Sequence, residues 1–203
     1  MALFMPFIKS LFGTRLRWPR PSLDTTLVGP RLELRVGDPI DWRDWRNLRN
    51  LSRNFLVPWE PAWIDECLSH DFFCGNLRRQ WREWREGTGY AFLVFKEKAL
   101  IGGITLNDVQ RGVAQKGTLG YWIGHPYAGQ GYMSEATRLL CDFAFEDLKL
   151  NRIEASCLPH NEASKRLLTK LEFTEEGYAR SYLRINGKWE DHLLWGKSIN
   201  QPN

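Results

Sequence analysis

Along this chain, stretches whose apolar residues recur at every second position trade places with stretches where they recur every third or fourth, and the exchange sets out the secondary structure. Arg31 to Val36 alternates as a strand. Asp38 then stands as an N-cap with Pro39 in the first turn, and Trp42, Trp45, Leu48 and Leu51 mark the buried face of the helix that follows. Pro58 and Pro61 interrupt the chain, and a second helix is expected from about Leu68 to Arg85, carrying Phe72, Leu77, Trp81 and Trp84. Three β-rich runs come next, 90–95, 100–109 and 117–123, joined by short turns at Lys96-Glu97-Lys98 and Arg111-Gly112, which predicts an antiparallel meander. A helix beginning after Gly131 sets Ala136, Leu139, Leu140, Phe143 and Ala144 on one face. A strand at 152–158, a helix at 162–171 and a hairpin turning at Asn186-Gly187 complete the pattern. A β-rich middle followed by β-α-β-α-β-β reads as a mixed α+β sheet.

The link between the third meander strand and its helix, Tyr127-Ala128-Gly129-Gln130-Gly131-Tyr132-Met133-Ser134, carries the most chemical information. Glycines let the backbone turn sharply and approach a ligand, and the first amides of the helix have no partner inside it. Such a turn is an anion cradle fitted to a phosphate or diphosphate. No Gly-Lys-Ser/Thr follows the glycines, which excludes a P-loop, and Met133-Ser134 stands where a dinucleotide fingerprint needs its third glycine.

This loop resembles the coenzyme A diphosphate loop of the GCN5-related N-acetyltransferases (GNAT), whose pattern is Arg/Gln-x-x-Gly-x-Gly/Ala. Ala128 takes the first position, Gly131 the central glycine and Met133 the last, so the two ends depart from the pattern. The segments Leu158-Pro159-His160-Asn161-Glu162-Ala163-Ser164, Leu171-Glu172-Phe173 and Gly177-Tyr178-Ala179-Arg180 resemble the family's C-terminal half. Asn54 to Pro61 and Asn186 to His192 resemble its ribosomal-protein-alanine branch, the RimJ/RimL type. The resemblance implies a central, mostly antiparallel twisted sheet of about six or seven strands, splayed in the middle and flanked by about four helices. It implies acetyl-CoA as the acyl donor, held by backbone at Ala128, Gly129, Gln130, Gly131, Tyr132 and Met133, by the strand at Trp122, Ile123 and Gly124, and by Asn161 and Ser164. Ser164 matches a serine that assists the departing thiolate, while Leu168 stands where many members carry a tyrosine as general acid.

Direct transfer from a thioester to an amine requires a neutral amine and a polarised carbonyl, and an α-amine with a pKa of about 7.7–8.0 is easily deprotonated. The acceptor expected from the resemblance is a protein N-terminus, that of a ribosomal protein in the first place. Glu60 is the candidate base, and Trp59, Glu60, Asn107 and His192 are candidates for binding the acceptor, with Asp191 either a relay partner of His192 or a strand-edge charge. Asn161 and Ser164 also fit an N-cap and its third position, so capping and chemistry coexist there. Cys157 is expected to be a buried, inert thiol. The alternatives are acetylation of a small amine such as an antibiotic or polyamine, and, outside catalysis, an acyl-CoA sensor or an RNA-binding ribosome-assembly factor.

Composition changes little in this picture. The chain has 203 residues, 43% hydrophobic and 26% charged, enough for one domain with a sizeable core. Its net charge of +4 favours an acidic ligand or an RNA-rich neighbourhood. Cys67, Cys74, Cys141 and Cys157 lack disulfide or zinc spacing and read as reduced cytoplasmic thiols, and no metal is implied. Residues 1–22 are expected to form an amphipathic or poorly ordered extension ahead of a single domain at 23–203, with no stable membrane insertion expected. Trp and Arg interleave at 42–46 and 78–85, a pattern of an RNA platform or of a core-facing tryptophan stripe with a solvated charged face. Oligomeric state is left open.

Overall fold

The computed structural model of the chain describes residues 21–199, so most of the expected N-terminal extension lies outside the described residues. A single sheet of eight strands organises them. β1 (Thr26–Val28) and β2 (Glu33–Arg35) lead into α1 (Trp42–Leu51), the short α2 (Arg53–Leu56) and α3 (His70–Glu86). The meander β3 (Tyr90–Lys96), β4 (Ala99–Gln110) and β5 (Lys116–Ile123) follows, then α4 (Tyr132–Asp142), β6 (Arg152–Cys157), α5 (Glu162–Lys170) and the hairpin β7 (Thr174–Ile185) and β8 (Lys188–Ser198). The strand order is β1-β2-β3-β4-β5-β6-β8-β7, and every neighbouring pair is antiparallel except β5–β6.

The sheet exceeds the expected six or seven strands because β1 is only three residues long, too short to show a period. Local signals decide most boundaries. The Asp38 side chain accepts from the Ile40 amide, and the Asp41 carboxylate accepts from the Asp38 amide, closing the capping box that starts the turn into α1. Asn186 and Gly187 both adopt positive φ, 44° and 83°, as a two-residue hairpin turn requires.

The main core lies between the sheet and α4 and α5, with Ile104, Leu106, Ala136, Leu140, Ile153 and Leu168 all buried. On α3 the inward face is Phe73, Cys74, Leu77 and Trp84, whereas Phe72, expected there, points outward. Three of the four tryptophans on α1 and α3 donate the indole N–H to a backbone carbonyl of a connecting segment, Trp42 to Leu68, Trp81 to Gly37 and Trp84 to Pro21, while the Trp45 ring packs on Phe73. They are held as structural side chains, and the residues of those stretches that face solvent are charged ones, Arg43, Asp44, Arg46, Arg78, Arg82 and Arg85 among them.

What positions the site is the parallel pair. β5 and β6 pair only from Lys116–Arg152 to Thr118–Glu154, so beyond Thr118 the two strands separate into a fork. β4 continues along the other edge of β5 as far as the pair Gly102–Ile123. A parallel pair has no hairpin to hold its register, and α4 carries the crossover between these strands.

Candidate active site

The link that follows β5 forms the expected turn. A single 3-10 turn, His125–Tyr127, leads to Gly129 at φ 74° and to Gly131 at φ 79°, the N-cap of α4. Gly131 supplies no side chain to cap the helix, so the amides of the first turn remain available at the positive end of the helix dipole. A Cβ at Gly129 would meet nothing within 4 Å, so its glycine answers to backbone conformation and an open approach. Tyr132 and Met133 are buried, which leaves their main chain as the part facing outward. Arg31 braces the loop: its backbone amide and Nε donate to the Glu135 carboxylate at 2.8 and 2.7 Å, its Nη1 reaches the Gln130 carbonyl at 3.3 Å, and its guanidinium lies 4.7 Å from the Tyr132 ring centre.

Of the residues at the end of β5 expected to offer donors, Gly124, just past the strand, gives its amide to the Ile101 carbonyl of β4 at 2.8 Å. Alternation along an antiparallel ladder then directs the Trp122 amide to β4 as well, and turns the amides of Tyr121 and Ile123 toward the fork. The donors expected around 122–124 are therefore centred one residue earlier, with Ile123 the shared member.

On the far side of the fork, Asn161 caps α5 by accepting the Ser164 amide at 3.1 Å. From β5, Tyr121 packs on the core beneath the fork, and burial pushes its pKa up to about 12, an effect that the neighbouring Ser164 opposes. Cys157 ends β6 beside them, buried, its thiol pushed up by burial and so kept neutral, in line with an inert role. Leu168, one turn along α5 from Ser164, is fully buried.

The loop after α2 closes the opposite face of β5. Arg49 on α1 holds both Glu60 carboxylate oxygens, at 3.0 and 2.5 Å, and Trp63 Nε1 donates to the same carboxylate at 2.9 Å. Its guanidinium sits 4.7 Å from the Trp63 ring centre and 4.9 Å from that of Trp122, tying the loop to β5. Trp59 packs on His160, 5.5 Å between ring centres, so the loop also touches the segment entering α5. A cavity of about 270 Å³ opens beside this cluster, lined by Trp45, Arg49, Phe73, Asn76, Thr105 and Trp122. Asn107 faces the same side, donating to Thr105 Oγ1 at 2.9 Å. His192 is buried on β8, its Nδ1 3.0 Å from the Glu190 carbonyl and its ring against Tyr182. Asp191 accepts from the Tyr178 hydroxyl at 2.5 Å and the Ser181 amide at 2.7 Å, contacts that hold its carboxyl below the usual range.

The fork thus gathers the cradle, Ile123, Asn161 and Ser164, the loop carrying Trp59 and Glu60 closes the opposite face of β5, and His192 packs into the hairpin. Sequence reasoning missed Arg31, Arg49, Tyr121 and Ser52, whose buried hydroxyl accepts the His125 amide at 2.9 Å just ahead of the cradle. Their partners lie far away in the chain, and no local pattern announces them.

Comparison with known proteins agrees with the geometry. Residues 31–174 match the acetyltransferase (GNAT) domain family. The [ribosomal protein uS5]-alanine N-acetyltransferase of Escherichia coli (strain K12) is 36% identical over 189 residues, 91% of this chain and 94% of that protein. YjcK of Bacillus subtilis (strain 168), a probable N-acetyltransferase, is 45% identical over 107 residues; the match spans 52% of this chain and 59% of that protein. Mycobacterium smegmatis RimJ in complex with CoA-disulfide has a TM-score of 0.80 at 28% identity, over 83% of this chain and 82% of that one.

Proposed function

The chain belongs to the acetyltransferase (GNAT) domain family, and on that footing we propose that it is an acetyl-CoA-dependent N-acetyltransferase acting on the α-amine of a protein N-terminus, a ribosomal protein in the first place. The observation that carries the reading is the pair of positive-φ glycines opening the first amides of α4 beside the β5–β6 fork. Acetyl-CoA, when bound, supplies an acyl thioester ready for attack by a neutral amine.

In this reading the amides at the start of α4 hold the diphosphate, with Gly129 and Gly131 giving the backbone its approach and Arg31, paired with Glu135, bracing the loop. The fork-facing amides of Ile123 and Tyr121 receive the carbonyl oxygen, which gains negative charge as the amine adds. Asn161 orients the turn that presents Ser164, and the Ser164 hydroxyl donates to the sulfur as it departs. Glu60, with its oxygens already engaged by Arg49 and Trp63, anchors the acceptor loop, and water removes the proton of an amine whose pKa lies near 8, about the ordinary α-amine value. Trp59, Trp122 and Asn107 line the acceptor approach. A peptide acceptor suits this mouth better than a polycationic small amine, because its one carboxylate in the Trp59–Trp63 turn is already neutralised by Arg49.

Two finer features belong to the same proposal. An acceptor on the ribosome fits contact through the outward arginines of α1 and α3, since their tryptophans are committed to the interior. A cytoplasmic location fits such an acceptor; no helix among the described residues is long and apolar enough to cross a membrane.

Incubation with acetyl-CoA and short peptides with free or blocked N-termini tests the reading, following thiol release and peptide mass. Acetylation confined to free α-amines is the expected result, and modification of lysine side chains alone overturns the acceptor assignment.

A further inference from the structure

The sheet is bulky on one side and nearly bare on the other. Along β3, β4 and β5, Phe92, Ile104 and Tyr121 point into the core beneath α4 and α5. Alternation turns their neighbours Ala91, Gly103, Thr105 and Trp122 toward α1 and α3. A Cβ at Gly103, the Cα partner of Trp122, would collide with the indole nitrogen, so the glycine lets that ring lie down across β4. Over this floor lies the cavity of about 270 Å³, with Arg49 and Phe73 in its other wall. Its volume is near the low end, about 300 Å³, of small-molecule pockets, which gives room for one side chain and not for a cofactor.

Position and charge say what enters. Trp122 precedes Ile123, whose amide faces the fork, and its ring stands on the side from which the acceptor arrives. The first side chain of a peptide branches two bonds from the attacking nitrogen, so it is the part of the acceptor that meets Trp122. The wall holds two charged residues, and both are paired: Arg49 with Glu60, and Arg79 with Glu83 at 2.8 Å. A charged side chain would therefore be buried there without a counter-ion, at a large cost, whereas an apolar one gains by leaving water. One donor stays open. Arg49 Nε is buried and, among the described residues, has no hydrogen-bond partner, although both of its Nη groups hold Glu60. A buried donor left unpaired in a binding site suits an acceptor group brought by the ligand.

Building on the acetyl-transfer reading, we propose that this cavity is the pocket for the side chain of the acceptor's first residue. It takes neutral side chains as large as methionine or phenylalanine and refuses charged ones, and Arg49 Nε donates to the carbonyl of the same residue. Gly103 sets the depth of the pocket, because any side chain there drives the Trp122 ring up into the space.

The test follows thiol release with acetyl-CoA and short peptides that differ only in the first residue, Ala, Met, Phe, Asp or Arg, with thermal melting of each variant as a check on folding. For the wild type, kcat/KM with Met and Phe should exceed that with Ala by about tenfold, a difference of ~1.4 kcal/mol, and Asp and Arg should fall about tenfold or more below Ala. Gly103→Ala should reduce the Met-to-Ala and Phe-to-Ala ratios to about twofold, and Ala91→Leu, which fills the same cavity from β3, should do likewise. Damage of a general kind lowers every peptide together and leaves those ratios at their wild-type values, so unchanged ratios in both variants overturn the pocket. Should Gly103→Ala not fold, Ala91→Leu decides. Arg49→Lys keeps a cation for Glu60 and removes Nε; it should lower kcat/KM about tenfold for Ala, Met and Phe alike, since the carbonyl is common to all. A loss confined to one first residue, or no loss, removes that hydrogen bond from the proposal. A wild-type protein that releases no thiol with any peptide removes the acetyl-transfer reading as well, whereas turnover indifferent to the first residue removes this inference alone.

Discussion

The two faces of β5 are built from opposite materials. The cradle after it offers main chain: two left-handed glycines and the first amides of α4, with Tyr132 and Met133 turned into the core. The acceptor mouth across the strand offers side chains: Arg49 between Glu60 and the rings of Trp63 and Trp122, and Trp59 on His160. A backbone cradle recognises a group common to every acyl-CoA, so it tolerates wide change in its side chains provided the glycines remain. In the proposed reading, the mouth of paired side chains is the part that tells one acceptor from another, and it changes with substitution.

That contrast predicts where a mutation will separate the two activities. Gly131→Asp puts a side chain at φ 79° and a negative charge beside the diphosphate, and calorimetry should find CoA affinity weakened by about 100-fold or more with folding retained, a loss of ~2.7 kcal/mol or greater. Retained affinity would remove the cradle from that position. Arg49→Met, in contrast, leaves Glu60 partly buried without its cation and should cost about 2 kcal/mol in thermal unfolding, because one half of a shielded pair loses its partner. Peptide KM should rise about tenfold while KM for acetyl-CoA stays put. An equal rise in both constants would erase the division between the two faces.

Arg31→Ala sharpens the cradle side. Its pair with Glu135 is half exposed on the arginine, so stability should fall by no more than about 1 kcal/mol. CoA affinity should drop by a few-fold, about 3 to 10, as the loop loses its brace. An unchanged affinity would make Arg31 a bystander to the cradle.

How much of this was legible in the sequence follows the same line. The cradle was, because Gly129 and Gly131 act through backbone conformation, and a strand, two glycines and an amphipathic helix fall in one continuous stretch. The capping at Asp38 and the hairpin at Asn186-Gly187 were legible for the same local reason. The acceptor mouth was only partly so: Glu60 and Trp59 could be named, but Arg49, which commits Glu60 to an ion pair, could not. The fork donors moved by one residue because the direction of an amide depends on which residue of β4 faces it, as the Gly124–Ile101 bond decides. The Trp/Arg stretches needed the fold as well, since only the packing tells that Trp42, Trp81 and Trp84 are fastened to backbone carbonyls.

The smallest effect at neutral pH belongs to Tyr121. Its pKa is raised from 10 to about 12, so between those values the unfolded chain gives up a proton that the folded chain keeps. Stability is intact below pH 10 and declines as the pH climbs through the folded value, by on the order of 2 kcal/mol from this group. Denaturant unfolding at pH 9 and pH 11.5 should show a shallower decline in Tyr121→Phe than in the wild type. The same decline in both would mean the phenol is less buried than the fork geometry implies.

The most direct test of the central claim is an amide NMR titration of the protein with CoA. The largest shifts should fall on Gly129 to Ser134, followed by Ile123, with the acceptor loop at 57–63 moving least. A titration whose largest shifts lie on that loop or on the β7–β8 hairpin, with the start of α4 unmoved, would contradict the assignment of the cradle.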